Sequence, residues 1–245
     1  MKKLLFLVAC FSQFVFTGEV DQYFNGGLAV WDYNNYDEAV PYVYGATSGY
    51  YESGVAVDFY DDVVTYYYDS STRTLTVTKI SEKGEIVSNF GTSGVVATTF
   101  SGTTVLSNFC MITDAETGDI SIVYLESDTD YSTFSVKGKR LSKLGVVDDY
   151  FESAIESSLT VPSGYDMYNL SGIFVDSLGG FIIVGLAETA TSHTAQYAIA
   201  WRLDSDGWSG SGQVRDLTAY GYIRGYELGA AIDSDDNIYV GGIYE

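Results

Sequence analysis

Apolar and polar positions alternate along much of this chain in short runs with a two-residue period. Thr74-Leu75-Thr76-Val77-Thr78 is the clearest run, the pattern of a strand with one buried face. The stretch from Thr72 to Val96 shows how such runs are joined. A strand with Leu75, Val77 and Ile80 inside is followed by a tight turn at Glu82-Lys83-Gly84 and a short strand at Glu85-Ile86-Val87. A bend at Phe90-Gly91-Thr92-Ser93-Gly94 then leads into a new strand at Val95-Val96.

The parts of this stretch recur. An apolar strand ending in Asp, a polar turn and a second apolar strand appear at Val55–Asp58 with Val63–Tyr66, and at Met111–Asp114 with Ile120–Val123. They return at Ile173–Asp176 with Phe181–Val184, and at Ala231–Asp233 with Ile238–Val240. The aspartates Asp58, Asp114, Asp176 and Asp233 are 56, 62 and 57 residues apart. The turns between the strands are rich in Asp, Ser, Asn and Gly, as tight hairpins require. The glycine bend has a counterpart at Phe24–Val30, a shortened copy at Leu144-Gly145-Val146-Val147 and a degenerate one at Gly210–Val214. The strand before each bend recurs at Leu75–Gly84, Phe134–Arg140 and Tyr197–Gly207.

About four short strands in roughly 60 residues is the make-up of a β-propeller blade. The expected fold is therefore all-β: a propeller-like array of about four four-stranded antiparallel blades, near 19–81, 82–137, 138–203 and 204–245. The last blade is incomplete, which leaves an open arc, as in the N-terminal piece of a longer propeller, or a small ring closed by the N-terminal strand. Such sheets cannot bury both faces alone, so blades must stack. In Asp149–Leu159, Phe151, Ile155 and Leu159 have helical spacing, and Asp148 and Asp149 are available as caps. The serines and β-branched residues favour a loop between blades over a helix.

Residues 1–18 read as a signal peptide: Lys2-Lys3, then an apolar run from Leu4 to Phe16, too short to span a bilayer comfortably. The rest, 19–245, is the repeat domain, and the expected location is secreted, periplasmic or outer-surface. Leu7-Val8-Ala9-Cys10 also resembles a lipobox, so a lipoprotein tethered through Cys10 is the alternative.

Composition narrows the function. With 12 basic against 33 acidic residues the net charge is −21, and it becomes −23 when Lys2 and Lys3 leave with the leader. Such a surface repels phosphate backbones, which excludes nucleic acid as a partner; it suits divalent cations, basic partners or simple solubility. A hydrophobic share of 46% excludes a disordered chain. Once the leader is gone, Cys110 is the remaining cysteine and no intrachain disulfide forms. It sits in an apolar run, where a buried small side chain is expected. The single histidine, His193, lies in a polar loop with nothing to link it to Cys110 as a catalytic base.

The segment KISEKGEIVSNFGTSGVV at residues 79–96, with strand-Asp-turn-strand units such as AAIDSDDNIYVGG at residues 230–242, resembles the delta-sixty repeat family of bacterial propeller-like proteins. The resemblance is good at 75–96 and 229–242, fair at 172–207 and weak at 19–58 and 138–170. It implies a secreted or surface repeat protein of Gram-negative type with no established catalytic residues, so it carries over no site.

Candidate chemistry is sparse. Asp233, Asp235 and Asn237 have the spacing that opens a calcium loop, and Asp204-Ser205-Asp206-Gly207 is a fragment of the same kind. Positions six and twelve of the first loop are Ile238 and Tyr244, where an EF-hand needs Gly and Glu. A hairpin turn whose side chains bond their own backbone is the competing reading. Tyrosines at 50–51, 66–68, 220, 222 and 226, with Trp31, Trp201 and Trp208, suit either a glycan surface or packing between blades. The pairs Asp61-Asp62 and Asp148-Asp149 read as solvated turns, not as a glycosidase acid and nucleophile. The expectation is a non-enzymatic binding or scaffold module offering an acidic rim to a protein, glycan or cation, with no cofactor unless calcium. A propeller-based, carbohydrate-active extracellular enzyme is the alternative.

Overall fold

The computed structural model describes residues 51–58, 60–114, 116–129, 134–159, 161, 163–189, 196–207, 213–216, 223–233 and 235–244. The leader, Cys10, the bend at Phe24, Trp31, Tyr50, His193, Trp208, Gly210–Gly212, Tyr220 and Tyr222 lie outside them. The fold is all-β and antiparallel, with one helix.

The strands fall into four antiparallel sheets among the described residues, each in sequence order. Strands β1 (Tyr51–Val57), β2 (Val63–Asp69), β3 (Thr74–Ile80) and β4 (Val95–Thr99) form the first sheet in sequence order. The second holds β5 (Val105–Thr113), β6 (Ile120–Ser127) and β7 (Phe134–Leu141), followed by α1 (Asp149–Ser158). The third holds β8 (Tyr165–Val175), β9 (Phe181–Thr189), β10 (Gln196–Leu203) and β11 (Gln213–Asp216), and the fourth β12 (Ile223–Ile232) and β13 (Ile238–Tyr244). All four strand-Asp-turn-strand units are hairpins: β1–β2, β5–β6, β8–β9 and β12–β13. Sheets change over after β4, after α1 and after β11.

The first strands of successive sheets touch in series, β1 with β5, β5 with β8 and β8 with β12. The second sheet is therefore covered on both faces. Ile120, Ile122 and Tyr124 of β6 pack with Val64, Tyr66, Tyr68, Leu75 and Val77 of the first sheet. Val123 and Leu125, pointing the other way, pack with Ile173, Phe181, Ile183, Ile199 and Trp201 of the third. This is why β6 is apolar almost without interruption, while β4, at an edge, is exposed at Ala97 and Thr99.

Two expectations are corrected. Residues 149–158 are a helix, not a loop. Asp148 caps it by accepting from the N–H groups of Tyr150 and Phe151, and Phe151, Ile155 and Leu159 are buried against the second and third sheets. Burial of that stripe outweighs the weak helix propensity of Ser and Tyr. Leu144–Val147 is not a shortened glycine bend but a copy of the turn before it. Gly145 N–H donates to the Ser142 carbonyl and Ser142 N–H to Val146, as Gly84 donates to Ser81 and Ser81 to Glu85. The bridges Ile80–Ile86 and Leu141–Val147 match as well. In the second unit, α1 follows directly where the first continues into its bend and fourth strand.

Candidate functional site

In an antiparallel meander the turn between strands one and two and the turn between strands three and four lie at the same end. The register shows it here: Val57 pairs with Val63, and Val63 with Ile80. Among the described residues the first three sheets bring two turns each to this rim and the fourth brings its hairpin, where the calcium candidates lie.

In each hairpin turn the aspartate carboxylate accepts from backbone N–H groups, three times in the same pattern. Asp58 Oδ1 accepts from the N–H groups of Tyr60 and Asp62. Asp176 Oδ1 accepts from Leu178 and Gly180, and Asp233 Oδ1 from Asp235 and Asn237. Asp114, in a turn one residue longer, accepts from Glu116 and Thr117. Each turn needs one left-handed residue, taken by Asp61 (φ 61°), Gly118 (φ 75°), Gly179 (φ 78°) and Asp236 (φ 61°). The aspartate ending each first strand is thus the acceptor that folds its hairpin.

In two units a cation from the third strand joins this aspartate. Lys79 Nζ is 2.6 Å from Asp58 Oδ2 and 3.3 Å from Asp62 Oδ2. The Asp58 and Lys79 side chains are 0% and 4% exposed, and it is this charge contact, with no further N–H or O–H, that satisfies Asp58 Oδ2. Arg202, at the matching place in β10, lies 3.4 Å from Asp176 and 3.5 Å from Asp236. Arg140, its counterpart in β7, turns to Asp148 and to the Ser205 carbonyl 2.6 Å away, in the next sheet's rim turn. Burial alone would raise the Asp148 carboxyl, but Arg140 and the helix N–H groups outweigh it and hold it below the usual range. Burial raises Asp62, with the neighbouring Asp58 charge adding to the shift.

Neighbouring sheets meet turn to turn along this rim. Thr113 Oγ1 donates to the Val57 carbonyl, and the N–H and Oγ of Ser177 donate to Asp236. Further in, Glu52 of β1 reaches the bulge in β5, where Asn108 has a φ of 53°. Its carboxylate accepts from the N–H groups of Asn108 (2.9 Å) and Phe109 (2.8 Å), freed by the bulge from the ladder. Burial nonetheless leaves this carboxyl above its ordinary value.

The calcium candidates lie together in one hairpin turn. Both oxygens of Asp233 are engaged within it, Oδ1 as above and Oδ2 with Asn237 Nδ2 (3.0 Å) and Tyr239 OH (2.8 Å). These bonds, the Asn237 side chain first, lower the Asp233 carboxyl to about 2. Among the described residues no three His, Cys, Asp or Glu side chains come together as a metal-holding group. Tyr66 and Tyr68 are buried, packing on Phe109, and Tyr66 OH donates to the Phe109 carbonyl. Trp201 is fully buried. Cys110 is half-buried against the core, and burial pushes its thiol up to about 12. Asp61 occupies the left-handed turn position, Asp62 pairs with Lys79 and Asp148 caps α1.

No family model matches this chain, and no curated protein matches it. No helix among the described residues is long and apolar enough to cross a membrane.

Two arrangements escape sequence reading. The Lys79–Asp58 pair joins residues 21 apart that meet only because β3 runs back beside the hairpin end. The Glu52 joint depends on a bulge that Ser107-Asn108-Phe109 does not announce.

Proposed function

We propose that this chain is a secreted or surface-attached β-propeller-like repeat protein that works as a non-enzymatic binding or scaffold module. One observation carries the reading: an aspartate folds the hairpin turn in all four sheets, three times alike and once in a longer turn, and the first strands of these sheets touch in series. Stacking of this kind leaves a rigid rim of turns free to vary in side chain while the strands stay fixed, the usual division of labour in repeat scaffolds. The resemblance of 79–96 and 230–242 to delta-sixty repeats agrees with it. Asp58, Asp148, Asp176 and Asp233 are engaged in turns, a cap and ion pairs, while Asp61, Glu82, Glu85 and Glu116 stand exposed, which suits a fixed frame that presents other residues.

An array of glycans and polysaccharides tests this if both retention and released reducing ends are measured on the mature chain. Retention without turnover is the expected result. Release of sugar would replace the module with the extracellular carbohydrate-active enzyme.

A further inference from the structure

Equivalent rim positions differ in one respect that turn geometry does not require. The turn after β3 places Lys83 and Glu85 where the turn after β7 places Leu144 and Val146, with the same backbone hydrogen bonds. A turn that accepts Lys and Glu has no need of Leu and Val, yet Leu144 is 49% and Val146 65% exposed. The second residue after the turn aspartate varies in the same way, being Tyr60, Glu116, Leu178 or Asp235. Of these, Leu178 is 87% exposed and Tyr60 49%.

On the first two sheets these apolar residues stand close together. Gly118 is packed between Tyr60 and Lys143, and the Lys143 ammonium lies 5.8 Å from the Tyr60 ring centre. Leu144, next in sequence, accepts from Gly91 N–H through its carbonyl, and the other end of that glycine bend, Gly94, carries the exposed Ile86 against it. Tyr60, Leu144, Val146 and Ile86 thus stand on adjoining rim turns of two sheets, a ridge of exposed apolar side chains with Lys143 beside Tyr60. Asp61, Glu82, Glu85 and Glu116 stand exposed in the same turns and outnumber the exposed Lys83 and Lys143. Exposed apolar side chains gathered on adjoining turns mark a contact site.

We propose that this ridge docks a cationic, amphipathic segment of a partner protein, whose apolar side chains cover Leu144, Val146 and Ile86 while its Lys or Arg side chains meet the surrounding carboxylates. Charge selects this occupant. At −21 the chain repels a second copy of itself and an anionic lipid surface alike. The acidic border supplies what an amphipathic basic segment needs beyond apolar contact. The proposal rests on the binding-module reading and names its partner class.

The test uses a fluorescent Lys/Leu amphipathic peptide and anisotropy titrations of the mature chain. The variants are Ile86→Ser with Val146→Ser, Glu82→Lys with Glu85→Lys, and Asp166→Lys at the far end of β8; circular dichroism confirms that each is folded. The expected result is at least a tenfold weaker Kd for the two ridge variants and no change for Asp166→Lys. Weakening by both lysine variants, with none from Ile86→Ser/Val146→Ser, would overturn the ridge and show attraction by net charge only. No peptide binding, with retention on the glycan array, would overturn the partner class but leave the module. No binding in either assay would remove both.

Discussion

Lys79→Met is the most informative single perturbation. Methionine keeps most of the apolar stem but removes the ammonium 2.6 Å from Asp58 and 3.3 Å from Asp62. The Asp58 side chain is 0% exposed, so its charge remains in place without a counter-ion. Breaking a buried pair on one side costs about 3–5 kcal/mol. With a urea m-value on the order of 3 kcal/mol/M for a chain of this size, the unfolding midpoint falls by about 1–2 M. Asp58→Asn is expected to be milder, because the amide oxygen still serves Tyr60 and Asp62 N–H and the ammonium keeps Asp62. The double variant Lys79→Met/Asp58→Asn removes both charges and should lie well above the sum of the singles, with a coupling of about 2 kcal/mol. Urea unfolding followed by tryptophan fluorescence, with Trp201 reporting from the core, measures all three. A Lys79→Met loss below about 1 kcal/mol, or strict additivity, would refute the claim that this pair is desolvated.

The remaining predictions follow from the carboxylates, the thiol and one glycine. Glu52 has a raised folded value, so its contribution to stability is complete below its ordinary 4.5 and is lost as pH rises through the folded value. Wild type should therefore gain on Glu52→Gln as pH falls from 7 towards 4.5, and urea midpoints across that range would show it; a constant difference would count against the burial of this group. Asp233 should titrate near 2 by carboxyl NMR and move upward in Asn237→Ala, since the Asn237 side chain is the main cause of its shift. With its thiol near 12, Cys110 should react with Ellman's reagent at pH 8 much more slowly in the folded protein than in urea. Gly145→Ala should destabilise by about 1–3 kcal/mol in thermal melts, because Gly145 has a φ of 79° and a Cβ there would lie 2.7 Å from Gly91 N.

Local features were the legible ones. Asp58, Asp114, Asp176 and Asp233 announce their hairpins because an Asx turn is made within five or six residues, and the two-residue period of β3 is visible in Leu75 and Val77. Leu144–Val147 misled because Leu-Gly-Val-Val imitates the end of the glycine bend, while Gly145, the feature in common, serves equally well in the simpler turn. The helix at Asp149 was masked by weak propensity, since the faces that bury Phe151 and Ile155 belong to strands on either side of it in sequence. The rim ridge was out of reach for another reason. Only once the hydrogen bonds align Leu144 with Lys83, and Val146 with Glu85, does an apolar residue there become unexpected.

The apolar character of β6 on both sides also constrains how the molecule is made. A chain leaving the ribosome or a translocon with β6 formed but β8 to β10 still to come would hold Val123 and Leu125 open to water, next to an unfinished edge. No single sheet is a safe resting point, and excising one should give an aggregate instead of a domain.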